Sequence, residues 1–224
     1  MALHLVKNSS AAIGVLDLQG GVHEHLDHLE RLGLASRRVK QEDDFTALAG
    51  LIIPGGESTC LARLLNIFSL KEIILKEFHR GMKIWGTCAG AILLAQKVVN
   101  DQPCLGLIDM EIERNSFGSQ LDSFVSEAII EAVGDEPIPL TFIRAPKILR
   151  VGKDVKILLK INDYIAAAEN ENVLVTVFHP ELTGCLALHR YFALKCGLKP
   201  TASIPNNIDP HWESYSWTRH SRIA

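Results

Sequence analysis

A lone cysteine between two glycines is the feature of this 224-residue sequence that most directly suggests chemistry. Gly86-Thr87-Cys88-Ala89-Gly90 lies between an apolar stretch that predicts a buried strand (82–85) and one that predicts a helix (91–99). G-x-C-x-G at a strand-to-helix turn is the thiol analogue of a nucleophile elbow. The free N–H groups and the dipole of the helix N-terminus favour the thiolate. We predict that Cys88 is a nucleophile and that the Ala89 N–H faces an oxyanion. The alternative is a small buried residue without a chemical role.

A histidine and a glutamate two positions apart could supply the base that such a thiol needs. Both lie in "VLVTVFHPEL" (173–182), at the end of an apolar run. Pro180 biases His179 toward extended backbone, in which residues i and i+2 point the same way. We therefore predict that His179 is the base and that Glu181 orients its ring. The alternative is a surface His-Pro turn beside a solvated glutamate.

A glycine-rich turn follows another predicted strand, in "IIPGGEST" (52–59). Its glycines expose N–H groups, so Gly56 could be a second oxyanion donor. Glu57 could accept a hydrogen bond from a substrate amine or amide, and Ser58 is a candidate helix N-cap. Taken alone, the stretch is also consistent with a simple turn before a capped helix.

Three histidines, His23, His25 and His28, form H-x-H-x-x-H, which raises the question of a metal site. On a helix His25 and His28 share a face, and His23 lies away from it. No cysteine or acidic cluster of a known zinc spacing accompanies them. We therefore predict no metal here, and a helix start packed near a partner subunit.

The elements that would position these residues alternate between strand and helix in the first half of the chain. The pattern predicts strands at 11–18, 36–40, 48–56 and 82–86, and helices at 22–34, 58–68, 70–81 and 91–99. From about residue 105, short strand-like runs follow with few helices between them, before a closing helix at 182–197. This order predicts a single-domain α/β fold with a mixed, mainly parallel sheet flanked by helices. We expect an N-terminal extension (1–11), one domain (12–197) and an irregular tail (198–224).

Composition restricts the classes of protein to consider. The formal net charge is −3 and 47% of the residues are hydrophobic, which favours a packed core and argues against binding to nucleic acid or an anionic membrane. Five cysteines without paired spacing favour a reducing compartment. No apolar run approaches the roughly 20 residues of a membrane-spanning helix, and the N-terminus does not resemble a signal peptide. We expect a cytoplasmic protein.

Six stretches together resemble a known family. They are "GVLDLQGGVHEH" (14–25), "LIIPGGEST" (51–59), "WGTCAG" (85–90), "ERNSFGSQLDSF" (113–124), "FIRAP" (142–146) and "FHPEL" (178–182). In this order they are similar to the class I, triad-type glutamine amidotransferases, and most closely to the glutaminase subunits of pyridoxal 5′-phosphate synthase. The resemblance covers roughly residues 12 to 195 and implies a flavodoxin-like core.

The resemblance also implies roles for individual residues. Cys88, His179 and Glu181 match the family's catalytic triad. The residues that match its L-glutamine site are Gly56, Glu57, Ser58, Arg114, Ile143 and Arg144. A guanidinium such as that of Arg114 or Arg144 suits the α-carboxylate of an amino acid, although either arginine could instead form an ordinary salt bridge.

The activity implied by the resemblance is hydrolysis of L-glutamine to L-glutamate and ammonia, with delivery of the ammonia to a synthase subunit in a hetero-oligomer. One alternative is another cysteine hydrolase on the same fold, such as a peptidase of the DJ-1/PfpI type. A second is a regulatory subunit without turnover, because "TGCLALHRYF" (183–192) is apolar where the family often has Asp and Arg. Ammonia release from glutamine, with and without the synthase, discriminates among the three.

Overall fold

The computed structural model of this chain describes residues 11–114 and 124–207. The elements of the first half alternate: β1 (Ala12–Leu16), α1 (Val22–Arg31), β2 (Ser36–Val39), β3 (Leu48–Ile53), α2 (Ser58–Ile67), α3 (Leu70–His79), β4 (Lys83–Thr87) and α4 (Ala89–Leu94). The second half is rich in strands: β5 (Ala95–Val98), β6 (Ile108–Glu113), β7 (Phe124–Ala128), β8 (Ile138–Phe142), β9 (Lys147–Val151), β10 (Lys156–Ile161), β11 (Tyr164–Glu169), β12 (Val173–Thr176) and the helix α5 (Ala187–Lys195).

The centre of the fold is a parallel sheet in the order β2-β1-β3-β4-β12. Antiparallel pairing extends it from β12 through β11 and β9 to β6, and β5 closes the edge parallel to β6. β10 pairs with β11, and β7 and β8 form a separate two-stranded sheet. The predicted α/β fold with a mixed sheet and a parallel core is confirmed.

Helices cover both faces of the parallel core, which explains why its strands read as continuous apolar runs. Neighbouring residues of a strand face opposite sides. Trp85 contacts rings of α1 and α5, whereas Gly86 on the other face lies against Gly90 and Leu94 of α4. The site residues after β4 are therefore held between two buried layers. No helix within residues 11–114 and 124–207 is long and apolar enough to cross a membrane.

Two predictions about the elements were wrong, and one strand was not predicted at all. The helix expected at 91–99 ends at Leu94, and the next four residues form β5 because pairing with β6 outweighs local helix propensity. The sequence pattern gave no sign of β9, whose apolar residues are interrupted by Arg150. The closing helix begins at Ala187 instead of 182, because Pro180–Leu182 form a short 3₁₀ turn of their own.

Residues 198–207, the described part of the predicted tail, contain no helix or strand and pack against the domain. Arg190 of α5 donates to the backbone carbonyls of Thr201 and Ile204 and to the Asn206 side chain. The Leu186 N–H donates to the Asn206 carbonyl at 2.7 Å. The predicted N-terminal extension up to residue 10, the end of the tail from 208, and residues 115–123 lie outside the described residues.

Candidate active site

A cleft of ≈ 640 Å³ opens where the parallel strands end. In an open α/β sheet this carboxyl edge is the usual place for a ligand. The turns after β1, β3, β4 and β12 all contribute lining residues. The ten residues singled out from the sequence all line this one cleft: Gly56, Glu57, Ser58, Cys88, Ala89, Arg114, Ile143, Arg144, His179 and Glu181.

Cys88 sits in a strained backbone turn between β4 and α4. Its φ of 47° and ψ of −107° lie outside the regions that a non-glycine residue ordinarily adopts. Its N–H donates to the Thr176 carbonyl at 2.9 Å, which ties the turn to the end of β12. Such strain persists only where the surrounding structure enforces it, and it is concentrated at functional sites.

The two glycines of the turn permit close packing rather than chain mobility. A Cβ at Gly90 would lie 2.0 Å from the Ile53 carbonyl oxygen, and one at Gly86 would lie 2.6 Å from the Gly90 backbone. Any side chain at either position would push α4 away from the sheet. The cysteine is thus fixed at the bottom of the cleft, where its side chain is buried with 7% exposure.

His179 and Glu181 are hydrogen-bonded, with His179 Nδ1 2.8 Å from Glu181 Oε1. The prediction that the backbone is extended from His179 to Glu181 was wrong, because Glu181 lies in the 3₁₀ turn Pro180–Leu182. Proline at the first helical position favours such a turn, because the N–H group at that position makes no hydrogen bond within the helix and its absence costs nothing. The turn still brings the carboxylate to the imidazole, and it buries Glu181 to 3% exposure.

The charges around His179 and Glu181 favour a protonated imidazole beside an ionised carboxylate. Burial alone would lower the pKa of His179, but the facing Cys88 thiolate and the Glu181 carboxylate raise it well above its usual value. Burial would raise the pKa of Glu181, but His25 and His179 hold it below the usual value. The arrangement can therefore hold a proton on His179 beside Cys88, which is what activation of a thiol requires.

Gly55 lies between the thiol and the imidazole, and the prediction of the site did not include it. A Cβ at this position would lie 2.5 Å from His179 Cε1 and 3.4 Å from Cys88 Cβ. Similarly, a Cβ at Gly21 would lie 2.9 Å from Glu181 Cγ. The clustered glycines in "LQGG" and "PGGEST" were the available signal, since each marks a close approach of backbone to a neighbouring group.

The turn before α2 is capped by a different residue from the one predicted. Glu57 is the N-cap, and its carboxylate accepts from the N–H groups of Thr59 and Cys60 at 3.0 and 2.7 Å. Ser58 is already the first helical residue, so its prediction as the cap was wrong. The longer Glu57 side chain can reach both free N–H groups at once, which those hydrogen bonds show. The Gln19 side chain accepts from the Glu57 N–H at 2.8 Å and so links this turn to β1.

Arg114 borders the same end of the cleft. Its guanidinium donates to Glu57 Oε1 at 3.1 Å, to the Thr59 hydroxyl at 2.9 Å and to Asp101 Oδ2 at 2.5 Å. The Gln102 N–H and then the Arg114 guanidinium donate to the Asp101 carboxylate and hold its pKa below the usual value. The guanidinium is thus fixed at the cleft wall while its side chain keeps 26% exposure.

Two residues of "FIRAP" border the cleft opposite the glycine turns. The Ile143 carbonyl oxygen lies 4.0 Å from Cys88 Sγ. Arg144 is exposed and has a positive φ of 43°, so it is the second strained non-glycine residue of the site after Cys88. The part of "ERNSFGSQLDSF" from 115 to 123 lies outside the described residues.

His25 and His28 share one face of α1, as predicted, and this face is turned toward the interior of the chain. Both are buried, with 0% and 4% exposure, and they contact His189 of α5. His23 is exposed on the opposite side. Among the residues that the structure describes, no group of histidine, cysteine or acidic side chains could hold a metal ion.

Comparison with known proteins agrees with this geometry. The SNO glutamine amidotransferase family matches residues 15–197. The chain belongs to that family. A relative from Syntrophus aciditrophicus (strain SB), "Pyridoxal 5'-phosphate synthase subunit PdxT", is 63% identical over 92% of this chain and 93% of its own length. A protein of the same name from Carboxydothermus hydrogenoformans is 45% identical over 82% of this chain and 96% of its own.

Solved structures give the same result for the fold of this amidotransferase. A structure described as "Crystal structure of glutamine amidotransferase" has a TM-score of 0.79 and 38% identity, and it covers 84% of this chain and 100% of its own. PurLQS from Thermotoga maritima, at 21% identity and a TM-score of 0.57, shares the fold.

Proposed function

We propose that this chain is the glutaminase subunit of a pyridoxal 5′-phosphate synthase, which hydrolyses L-glutamine and passes the ammonia to a synthase subunit. The observation that carries the proposal is the strained Cys88 facing the hydrogen-bonded His179 and Glu181 in a single cleft. Membership of the glutamine amidotransferase family and the names of the relatives at 63% and 45% identity support the substrate and the pathway.

The chemistry follows from the positions of the triad. The Cys88 thiolate attacks the carboxamide carbon of glutamine, and the thiol proton resides on His179. The tetrahedral oxyanion accepts from the N–H groups of Ala89 and Gly56. His179 then protonates the leaving nitrogen, and Glu181 stabilises the imidazolium while it exists. Ammonia departs, and a water molecule activated by His179 hydrolyses the thioester to glutamate.

The walls of the cleft are suited to an amino-acid substrate. Arg114 and Arg144 carry the positive charge that an α-carboxylate needs. Glu57, Ser58 and the Ile143 backbone supply polar groups around the rest of glutamine. Because Arg114 is bonded to Glu57 and Asp101 without substrate, we expect glutamine to replace one of these contacts. No step of this half-reaction needs a metal or an organic cofactor.

A synthase subunit is the partner, in a hetero-oligomer, because free ammonia would be protonated in bulk water and lost. Gly55 and Gly56 flank one predicted oxyanion donor, and a peptide between glycines can rotate at little steric cost. A partner that binds the ordered arrangement better would increase its population and raise the rate. One misplaced oxyanion donor costs about 100-fold to 1000-fold, which bounds the expected activation. We place the amidotransferase domain at 12–197, the tail at 198–224, and the protein in the cytoplasm.

The test is glutamate production at saturating glutamine, titrated with purified synthase subunit. Cys88→Ala should lower turnover by at least about 1000-fold, since loss of a triad nucleophile typically costs that much. Cys60→Ala is the matched control, because Cys60 lies in α2 outside the cleft lining. Peptide hydrolysis without ammonia release would favour the peptidase, and absence of turnover with the synthase bound would favour a regulatory subunit.

A further inference from the structure

Three buried histidines form a hydrogen-bonded row between α1 and α5, beneath the active site. His25 Nδ1 lies 2.8 Å from His189 Nε2, and His189 Nδ1 lies 3.1 Å from His28 Nδ1. His25 and His189 are fully buried, and His28 is 4% exposed. Trp85 packs edge-on against His25 and His189, with ring centroids 5.6 and 4.9 Å apart. We call His28, His189 and His25 the histidine row.

The histidine row ends at Glu181. His25 Nε2 lies 3.5 Å from Glu181 Oε2, the carboxylate oxygen that does not bind His179. Within the described residues, neither of these two buried atoms has a hydrogen-bond partner at normal distance. A buried carboxylate oxygen without a donor is costly, and so is a buried imidazole nitrogen without a partner. The two unsatisfied atoms are 3.5 Å apart, so one proton on His25 Nε2 with a small closing of this gap would satisfy both.

The number of N–H groups in the histidine row limits whether His25 can donate a hydrogen bond to Glu181. Burial lowers the pKa of His25 and of His28 to about 4 and that of His189 well below its usual value, so each ring is neutral and carries one N–H. Two of the three protons are needed for the contacts between the rings. The third must lie at one end of the row, either on His25 Nε2 facing Glu181 or on His28 at the far end.

The charge on Glu181 selects between these two ends. At the far end, the competing acceptor for that proton is the Thr183 backbone carbonyl, and His28 is the one member of the row with any exposure. Leaving a neutral carbonyl or a partly exposed nitrogen without a hydrogen bond costs less free energy than leaving a buried carboxylate without one. The favoured arrangement therefore has every proton directed toward Glu181.

We propose that His25 is a positioning residue for Glu181, donating Nε2–H to Glu181 Oε2, and that His189 and His28 fix the tautomer in which it can do so. The proposal deepens the proposed function, because it rests on Glu181 serving as the third member of the triad. With Oε2 held by His25, Oε1 is presented to His179 Nδ1, and the imidazole keeps the orientation that faces Cys88. His25, in the first turns of α1, thereby influences Cys88 through Glu181 and His179.

Side-chain NMR of the ¹⁵N-labelled full chain at pH 7.5 tests the tautomers directly and needs neither glutamine nor the synthase. We expect the proton on Nε2 of His25, on Nε2 of His189 and on Nδ1 of His28. Assignments come from spectra of single histidine variants. A proton on Nδ1 of His25, with its Nε2 bare, overturns the proposal, whatever the protein's activity.

Kinetics of the complex with the synthase tests the consequence for catalysis. His25→Leu removes the donor, whereas His25→Gln can present an amide N–H near the same place. A hydrogen bond to a charged group is worth about 10-fold to 100-fold in an equilibrium constant, so we expect kcat to fall by that factor in His25→Leu, with KM little changed. We expect His25→Gln to recover most of the loss. His23→Leu, the same change on the exposed side of α1, is the control and should retain wild-type kcat.

The outcomes separate this proposal from the proposed function. Equal kcat in wild type and His25→Leu, or equal loss in the Leu and Gln variants, overturns the positioning role while leaving the glutaminase assignment intact. Wild-type protein without glutaminase activity refutes the proposed function, and the NMR measurement still decides the tautomers. A merely structural role would lower the unfolding temperature of both His25 variants alike and leave the kcat of their folded fraction unchanged.

Discussion

Mild acid should destabilise this protein, because the histidine row is buried in the neutral form. The ordinary histidine pKa is 6.5, whereas burial lowers the pKa of His25 and His28 to about 4 in the folded chain. Between these values the unfolded chain binds protons that the folded chain does not. The free energy of unfolding therefore falls as the pH falls through this window, and it is fully recovered above it.

The size of the effect follows from the two pKa values. Between pH 6.5 and pH 5, each such histidine loses about 1.6 kcal/mol of stability, so His25 and His28 together lose about 3 kcal/mol. His189 adds to the loss, since burial lowers its pKa well below the usual value. His179 opposes the loss only slightly there, because its pKa is raised in the folded chain and the unfolded chain is already half protonated at this group at pH 6.5. Glu181, with a lowered pKa, stays ionised in the folded chain and is mostly ionised in the unfolded chain, so it adds only a small further loss near pH 5.

Urea unfolding curves at half-unit steps from pH 7.5 to pH 5, followed by tryptophan fluorescence and circular dichroism, measure this loss. His28→Leu should reduce the loss between pH 6.5 and pH 5 by about 1.6 kcal/mol, because that ring no longer takes up a proton on unfolding. His23→Leu is the matched control and should leave the slope unchanged, since His23 is exposed. A free energy of unfolding that changes by less than about 1 kcal/mol between pH 6.5 and pH 5 would refute the reasoning.

Three further predictions concern the active site. Glu181→Gln should lower kcat less than His179→Ala does, because Glu181 orients the ring that moves the proton; wild-type kcat in Glu181→Gln would remove it from the triad. Gly55→Ala should lower kcat by about 100-fold by displacing His179, as a misplacement of about 1 Å can, whereas Gly134→Ala, with open space around its Cβ, should not. An electrophilic glutamine analogue should label Cys88, and mass mapping should find little label on the thiols whose pKa burial raises: Cys104, Cys185 and Cys196.

The sequence alone was sufficient wherever a short stretch determines its own geometry. The glycines around Cys88, the turn after "LIIP" and the His-Pro-Glu step are local signals, and each marks a place where the backbone must turn or approach closely. Alternation of apolar strands with amphipathic helices likewise predicted the parallel core, because burial on both faces leaves a continuous apolar run. Resemblance to the family then connected stretches that local patterns could not.

Other features were decided by residues far apart in the chain. β5 exists because β6 lies beside it, although its own sequence continues a helical pattern. Gly55 belongs to the active site only because the fold places His179 against its Cα. His25 and His189 are 164 positions apart, so no spacing rule could pair them. The sequence supplied the histidines, and tertiary packing removed them from water. Because burial keeps the three rings neutral, each ring carries a single N–H, and the proposed arrangement directs one of these N–H groups to the Glu181 carboxylate.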